Sequence, residues 1–259
     1  MSLAAGTMAA MTSRRAFASR RHWPRVFGAL AVTGVVAAGC ALDPGPQIPR
    51  HDPPAPGPPV PAIDVDAPGR TSAQLADWAG EVSAQTDIPA DALAAYGHAA
   101  AVMERARPEC ALAWTTLAGI GGVESAHGRH GGARIDEEGR VVPEVIGIPL
   151  DGSPGVALIE DTDGGRVDGD PVYDRAVGPM QFLPETWAHW GTDADGDGLA
   201  DPHSIDDAAL TAARYLCAAD RRLDLPEGWG AALWSYNQST EYAGEVSYRA
   251  NAYAIGARP

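Results

Sequence analysis

The residues best suited to chemistry form two short motifs. The first, Gly121–Gly128, places Glu124 at the end of an apolar run, and the second, Gly178–Trp187, places Gln181 beside aromatic residues. A carboxyl group in apolar surroundings has a raised pKa, which keeps it protonated near neutral pH and able to act as a general acid. A glutamate at the end of a helix is otherwise usually a solvated surface residue. The second motif predicts a tight turn that leads into a helix.

The elements that must position these motifs are predominantly helical. Apolar periodicity and capping signals predict helices after Ser72, after Pro89, over 110–124, from Pro184, and over 206–219, 229–236 and 241–254. The helix over 110–124 is apolar on nearly all sides, which is typical of a buried helix. Residues 134–174 are rich in Gly, Pro and Asp and predict hairpins and loops. We therefore expect a mainly α fold of the α+β class, with a small irregular β-containing insertion forming a cleft.

In this order, the two motifs resemble those of the lysozyme-like catalytic domain of lytic transglycosylases, namely the membrane-bound type B group and its actinobacterial relatives, over residues 71–254. The resemblance implies cleavage of the MurNAc-GlcNAc β-1,4 bond of peptidoglycan by a single glutamate, here Glu124. The substrate's N-acetyl group would stabilise the reacting centre, and its 6-hydroxyl would attack, which leaves 1,6-anhydroMurNAc ends. Two alternatives stay open: a hydrolytic muramidase of the same fold, and a non-catalytic glycan-binding lipoprotein.

The same resemblance implies substrate contacts from both motifs and from a late Tyr-Asn pair: Ser125, Met180, Gln181, Tyr236, Asn237 and Tyr242. Gln181 would hydrogen-bond near the N-acetyl group, and Asn237 would orient the reacting sugar. Ser125 and Met180 would line the cleft. Met180 and Tyr242 fit equally well as core residues, and Gln181 fits as a cap.

Two other chemistries are disfavoured by the sequence. Most glycosidases use two carboxylates, but Asp174 reads as a cap and Glu185 as a favourable charge at a helix N-terminus. Glu124, His127 and His130 have a spacing that could hold zinc, but intervening glycines argue against one helix presenting all three. Catalysis is therefore expected to need no metal.

An acidic loop predicts a structural calcium site. Residues 193–199 match the first seven positions of a calcium loop, the twelfth position is Ser204, and an enlarged loop would end on a carboxylate at the fifteenth, Asp207. The expected ligands are Asp193, Asp195, Asp197, the carbonyl of Leu199, and Asp207. Asp201 is a possible extra ligand. The alternative is an acidic turn that caps the helix beginning near Asp206.

The N-terminal region predicts export. Residues 1–39 combine five arginines, no acidic residue and a short apolar run, as in a signal peptide, and Ser13–Phe17 matches the start of a twin-arginine signal. The run ends in a sequence resembling a lipobox, in which Cys40 would be lipidated and hold the protein on the outer face of the membrane. Ordinary signal-peptidase cleavage, with secretion into the cell wall, is the alternative.

The sequence after the predicted signal peptide indicates a disulfide and a proline-rich linker. Cys110 and Cys217 lie in apolar helical contexts and predict a disulfide, with two buried thiols as the alternative. Residues 40–70 are a proline-rich linker before the domain at 71–259. Because half of the positions in 44–61 are proline, a polyproline II spacer of roughly 55 Å is expected there.

The net charge excludes some partners. Loss of residues 1–39 removes five of the 19 basic residues and none of the 34 acidic ones, which leaves a net charge of −20. Such acidity argues against nucleic acid and against anionic lipid as partners. We expect a monomer whose macromolecular partner is the glycan strand.

Overall fold

The computed structural model describes residues 52–259, so the predicted signal peptide, Cys40 and the first part of the linker lie outside the described residues. The described chain is mostly helical with one small antiparallel sheet, which confirms the predicted fold class. No helix in this part of the chain is both long and apolar enough to cross a membrane. The elements are α1 Ala76–Thr86, α2 Ala90–Ala106, α3 Trp114–Ser125, β1 Arg134–Ile135, β2 Val141–Val142, α4 Pro184–Trp190, α5 Ile205–Leu216, α6 Pro226–Tyr236 and α7 Thr240–Ala254.

Helix α3 runs through the middle of the core. All but two of its residues are buried, as its apolar sequence predicts, and it packs against α2, α5 and α7. The approach to α7 is close at Gly119, where a Cβ atom would lie 2.8 Å from the Val246 carbonyl oxygen. Glycine at this position lets α7 come within backbone contact of α3. The C-terminal end of α3, which carries Glu124, is therefore held by packing along the whole helix.

Two helix starts differ from the sequence-based expectation. Residues Pro108–Cys110 form a separate 3-10 turn, and Ala111 then adopts φ 51°, so α3 begins only at Trp114. Ser72 was expected to cap the first helix but lies within a 3-10 turn, Thr71–Leu75, with its hydroxyl buried and unpaired. Both differences arise in short turns, where tertiary packing outweighs local capping preference.

The disulfide between Cys110 and Cys217 is confirmed. It joins the turn before α3 to the residue after α5, and both cysteines are buried. The bond closes a loop with a sequence separation of 107 residues. In the chain-entropy model, a loop of this length stabilises the folded state by about 4–5 kcal/mol.

Residues 134–174 form a lobe of short β-pairings, as the sequence predicts. In the β1–β2 sheet Arg134 pairs with Val142 and Ile135 with Val141. Further isolated bridges, such as Glu160 to Tyr173, continue the lobe. The lobe is tied to the second motif because the N–H of Gly178 donates to the Val145 carbonyl at 2.8 Å.

The last part of the linker is docked on the helical domain. We call residues 52–63 the strap. Trp114 and Thr115 at the start of α3 donate to the carbonyls of Pro58 and Ala55, both at 3.1 Å. Asn251 of α7 donates to Asp52 at 3.3 Å, and Val60 and Ile63 pack against the core. Carbonyls of Asp52, Ala55 and Pro58 thus accept hydrogen bonds from the domain, so this part of the proline-rich linker lies against the helices.

Candidate active site

Glu124 lies in the last turn of α3 and is buried, with 7 % of its surface exposed. Burial raises the pKa of its carboxyl group from 4.5 to about 8. The Tyr242 hydroxyl donates a hydrogen bond to Glu124 Oε1 at 2.7 Å, which partly opposes this rise. The carboxyl group is therefore protonated at neutral pH. This is the state that a general acid requires, as the apolar context in the sequence predicts.

The chain turns sharply directly after α3. Ala126 and His127 have φ values of 52° and 61°, a left-handed conformation that non-glycine residues rarely adopt, and Gly128 follows with φ 78°. The N–H of His127 donates to the Gly121 carbonyl at 2.8 Å, which closes the helix end. Strain of this kind persists only where the surrounding structure imposes it. The turn fixes the end of α3 and with it the backbone of Glu124.

Ser125 links the two sequence motifs. Its hydroxyl accepts the N–H of Gly128 at 2.7 Å and donates to the Pro179 carbonyl at 2.6 Å. Ser125 is 1 % exposed. Whereas the sequence predicts a cleft residue, the structure buries this hydroxyl between the end of α3 and the Gly178-Pro179 turn. Its visible role is to position Glu124 relative to the second motif.

The second motif is a turn that requires glycine at its start. Gly178 has φ 76°, and a Cβ atom there would lie 1.8 Å from the Pro202 carbonyl oxygen. Gln181 adopts φ 50°, and its side-chain amide donates to the carbonyls of Gly178 at 3.0 Å and of Val145 at 3.4 Å. Gln181 therefore lies in the turn before α4 and ties it to the lobe. Its predicted contact with substrate stays a prediction.

Met180 and Tyr236 form the floor beneath this turn. Both are fully buried, and the Tyr236 hydroxyl donates to the Met180 carbonyl at 2.8 Å. The Met180 side chain has no exposed surface, so in this structure it is a core residue and not the cleft residue that was predicted. The alternative that the sequence left open, a core methionine, describes it better.

The Tyr236 and Tyr242 rings stack with centroids 6.5 Å apart and an interplanar angle of 7°. Asn237 ends α6 directly after Tyr236 and is 3 % exposed. Its Nδ2 atom is buried and has no hydrogen-bond partner. A buried amide without a partner costs free energy and is a donor available to a ligand. The structure thus brings Glu124, Tyr236 and Tyr242 together. Asn237 lies at the end of α6, directly after Tyr236.

The sequence points to His127 only as a disfavoured zinc ligand, whereas the structure places its ring between two tyrosines. Its two ring nitrogens lie 3.3 Å from the Tyr96 hydroxyl and 3.0 Å from the Tyr253 hydroxyl. Burial, together with Arg129 and Arg249, lowers the pKa of His127 to about 3, so the ring is neutral. Both nitrogens are engaged, so the structure gives no support to the zinc site that the sequence already disfavoured. No signal in the sequence links His127 to these two tyrosines on other helices.

The acidic loop gathers three of the predicted calcium ligands. Carboxylate oxygens of Asp193, Asp195 and Asp197 lie within 4.8 Å of one another, the only group of this kind among the described residues. Asp207 lies outside this group. Both of its oxygens accept backbone N–H groups, from Ala194 at 2.7 Å and Asp201 at 2.8 Å, and it is fully buried. Burial raises the pKa of Asp207 to about 7.

A helix cap is also present at this loop, but the cap is Ser204 and not the acidic turn that the sequence offered as the alternative. Ser204 is the N-cap of α5 and accepts the Asp207 N–H at 3.4 Å, while its hydroxyl donates to Asp195 Oδ2 at 3.2 Å. Leu199, expected to offer its carbonyl, has its N–H bonded to Asp197 Oδ1 at 2.7 Å. Capping and ion binding are compatible, because the cap residue Ser204 bonds to one oxygen of only one of the three clustered carboxylates, Asp195.

Residues 171–231 match the family described as the Transglycosylase SLT domain. The matched segment contains Gln181, α4, α5 and the first half of α6, whereas Glu124, Asn237 and Tyr242 lie outside it. No curated protein and no solved structure shows significant similarity to the chain. The match supports a lytic transglycosylase-like domain, which this chain builds on a mostly helical fold consistent with the lysozyme-like architecture of SLT domains.

Proposed function

We propose that this protein is a peptidoglycan lytic transglycosylase that cleaves the MurNAc-GlcNAc β-1,4 bond with Glu124 as its catalytic acid and base. One observation carries the proposal: Glu124 is a buried carboxyl group with a raised pKa that accepts a hydrogen bond from Tyr242, and the next residue, Ser125, bonds to Pro179 in the SLT-matched segment. Peptidoglycan is the substrate class that the SLT match indicates. The chemistry of the bond is proposed from Glu124 and from the resemblance of the two motifs to those of lytic transglycosylases.

In the first step Glu124 donates its proton to the glycosidic oxygen, and the bond between this oxygen and C1 of MurNAc breaks. The GlcNAc part leaves as an alcohol, and positive charge develops at C1. The N-acetyl oxygen of the substrate stabilises that charge. Glu124, now a carboxylate, accepts the hydrogen bond from Tyr242 at its Oε1 atom.

In the second step the 6-hydroxyl of the same MurNAc attacks C1, and Glu124 takes the proton from this hydroxyl. A 1,6-anhydro ring forms, water is not consumed, and the acid returns to its protonated state. The raised pKa favours both transfers, because the group gains and loses a proton near neutral pH.

The carboxylates of the described residues that could act as a second catalytic group are engaged or exposed elsewhere, which supports this intramolecular route. Asp174 is fully buried, and its oxygens accept hydrogen bonds from Thr162 at 2.8 Å and 2.9 Å. Glu185 is an exposed residue in the first turn of α4. Among the described residues, no other carboxylate perturbs the pKa of Glu124. An enzyme with a nucleophilic carboxylate would need one about 5 Å away.

Asn237 is the residue best suited to hold the reacting sugar. Its buried and unpartnered Nδ2 would donate to a substrate carbonyl such as that of the N-acetyl group. Tyr242 would contact the substrate at Glu124. Ser125 would act through Glu124, and Gln181, Met180 and Tyr236 would shape the floor.

Calcium is proposed as a structural ion. Asp193, Asp195 and Asp197 would bind it through their carboxylates, with the Leu199 carbonyl as a further ligand, and Asp207 would hold the loop closed on α5. Burial and neighbouring acidic groups raise the pKa of Asp195, which indicates repulsion that a divalent cation would relieve. The ion would supply charge neutralisation only.

We further propose that the protein is exported, anchored by a lipid on Cys40 to the outer face of the membrane, and active as a monomer on the cell wall. The leader-like residues 1–39 and the lipobox-like sequence that ends at Cys40 support this placement.

The decisive experiment is mass spectrometry of purified peptidoglycan digested by residues 52–259, beside Glu124→Gln and the control Glu185→Gln. Anhydromuropeptides from the wild type and the control, but not from Glu124→Gln, are expected. Products with reducing ends would indicate a muramidase instead. If no variant yields products and all three bind glycan, the protein is a glycan-binding lipoprotein and the proposal fails.

A further inference from the structure

One buried chain of hydrogen bonds ties the turn after α3 to the helices on either side. The ring of His127 lies between two hydroxyl groups: its Nδ1 atom is 3.3 Å from the Tyr96 hydroxyl on α2, and its Nε2 atom is 3.0 Å from the Tyr253 hydroxyl on α7. All three side chains are buried. His127 follows Glu124 by three residues, so this link fixes the chain directly behind the candidate catalytic carboxyl group.

Two glycines in the last turns of α3 make room for this chain of side chains. A Cβ atom at Gly121 would lie 2.1 Å from the Tyr96 hydroxyl, and one at Gly122 would lie 3.2 Å from the His127 ring and from the Tyr253 hydroxyl. Neither glycine has a positive φ, so both are explained by space and not by conformation. A glycine inside a helix is less favourable than alanine. Helix α3 therefore has a lower helix propensity where these side chains touch its backbone.

The three bridging side chains are uncharged. Burial lowers the pKa of His127 to about 3, and Arg129 and Arg249 act in the same direction. Burial also raises the pKa values of Tyr96 and Tyr253, so both hydroxyl groups keep their protons. A neutral imidazole has one donor nitrogen and one acceptor nitrogen, so it joins two hydroxyl groups only when one of them accepts and the other donates. This requirement fixes the orientation of the ring as well as its position.

His127 acts on Glu124 through the backbone and not through contact. Its ring lies against Gly122, which is two helical positions, or about 200°, away from Glu124 around α3. The Glu124 carboxyl group is bonded to Tyr242 near the start of α7, whereas His127 is bonded to Tyr253 near the end of the same helix. One helix therefore holds both the carboxyl group and the turn behind it.

The backbone of this turn needs such a restraint. Ala126 and His127 have φ values of 52° and 61°, a left-handed conformation that persists only where the surrounding structure imposes it. The Ser125 hydroxyl ties the turn to the Pro179 carbonyl at 2.6 Å. The His127 ring ties it to α2 and α7, so the two side chains together hold the turn from different elements.

We propose that His127 is a positioning residue for Glu124, which fixes the last turn of α3 by bridging Tyr96 and Tyr253. The inference rests on the proposed function, because the position of Glu124 matters for proton transfer to a glycosidic oxygen. A general acid must meet that oxygen within hydrogen-bond reach, and a displacement of about 1 Å can lower the rate about a hundredfold. Loss of the bridge should therefore lower kcat and leave KM nearly unchanged, since the three bridging side chains lie outside the set that would contact substrate.

The test uses residues 40–259 with two changes, made separately and together. Tyr253→Phe removes one hydroxyl group and keeps its ring, and His127→Asn removes the bridge while retaining a residue type that tolerates a left-handed φ. His98→Asn is the matched control. His98 is also a buried histidine whose pKa burial lowers, but it bonds to Thr71 Oγ1 at 2.6 Å and not to the turn after α3. Urea unfolding of each variant ensures that only folded proteins are compared.

Two readouts are taken for each variant. Steady-state rates on soluble glycan strands give kcat and KM, and carbon-13 NMR of the labelled carboxyl group gives the pKa of Glu124 without any turnover. We expect kcat to fall about tenfold in Tyr253→Phe and about a hundredfold in His127→Asn, with KM changed less than about twofold. The double variant should fall no further than His127→Asn, because both changes break the same bridge. The pKa of Glu124 should move down from about 8 in both, since a looser turn admits water to the carboxyl group.

Folded variants that keep the wild-type kcat and the wild-type pKa of Glu124 would overturn the inference. An equal loss of kcat in His98→Asn would do the same, because the loss would then follow stability in general. A rise in KM with unchanged kcat would also overturn it, because His127 would then contact substrate. If the wild type cleaves no glycan, the proposed function fails, and the pKa of Glu124 still decides whether His127 holds this turn. If His127→Asn does not fold, Tyr253→Phe decides the outcome.

Discussion

Two acidic sites in this molecule use carboxylates in opposite ways. At the end of α3, Glu124 stands alone in apolar surroundings and burial raises its pKa to about 8. In the loop after α4, Asp193, Asp195 and Asp197 crowd within 4.8 Å of one another at the partly exposed surface. The first environment stabilises the protonated form, whereas the second concentrates negative charge. The comparison shows that surroundings decide whether a carboxyl group suits proton transfer or cation binding.

The apolar surroundings that distinguish Glu124 from the acidic loop should have their largest effect on the pH dependence of activity. A general acid must carry its proton, and Glu124 loses its proton near pH 8. We expect the rate of peptidoglycan cleavage to fall about tenfold for each pH unit above that value. The measurement is initial rates of anhydromuropeptide release from pH 5 to 10. A decline that begins near pH 5 would place the acid elsewhere.

Stability should respond to Glu124→Gln in the opposite direction from activity. Unfolded Glu124 ionises near 4.5 and folded Glu124 near 8, so its contribution to stability is complete below 4.5 and declines as the pH rises to 8. Glutamine does not ionise, so it carries no charge that burial would destabilise. The free energy of unfolding of Glu124→Gln should therefore exceed that of the wild type by about 3 kcal/mol at pH 7 and by little at pH 4. Urea unfolding at both pH values measures this difference.

The matched control for that stability change is Glu185→Gln, which alters an exposed carboxylate in the first turn of α4. Its free energy of unfolding should change by less than about 0.5 kcal/mol at either pH. A stability gain in both variants, or in neither, would contradict the special environment of Glu124.

Calcium should act on the acidic loop and not on Glu124. At a concentration a hundredfold above its Kd, the ion should stabilise the wild type by about 2.7 kcal/mol. Asp195→Asn removes one of the three clustered carboxylates and should reduce this gain, whereas Glu124→Gln should retain it. Thermal unfolding with calcium and with a chelator measures the effect. An unchanged melting temperature in the wild type would contradict the site.

The smallest expected effect concerns Tyr242→Phe, which removes only the hydrogen bond to Glu124 Oε1. That bond lowers the pKa of Glu124, so its loss should move the alkaline limit of activity to higher pH. The rate at pH 7 should fall because the carboxyl group is held less firmly. Initial rates across the same pH series measure the shift. A shift to lower pH would mean that Tyr242 favours the protonated form instead.

Local sequence patterns predicted the parts of this molecule that depend on local physics. The all-round apolar character of α3 predicted its burial, and burial in turn predicted the raised pKa of Glu124. The Gly and Asp content of residues 134–174 predicted turns and hairpins. The apolar contexts of Cys110 and Cys217 predicted the disulfide that the structure contains.

Contacts between distant segments account for what the sequence could not predict. Ser125 bonds to Pro179, 54 residues away, and His127 bonds to Tyr253, 126 residues away. Neither contact produces a periodic pattern in the sequence from which it could be predicted. The left-handed conformations of Ala126 and His127 are likewise imposed by the surrounding fold, since neither residue type favours them.

If Cys40 carries the proposed lipid, the strap sets how far the domain can lie from the membrane. Its contacts with Thr115 and Asn251 begin at Asp52, so only about 12 residues remain between a lipid on Cys40 and the domain, a reach of at most roughly 40 Å. Release of the strap and of the following residues up to Arg70 would free about 18 further residues and more than double that distance. For a protein anchored in this way, docking of the strap on α3 would limit which layer of the wall lies within range of Glu124.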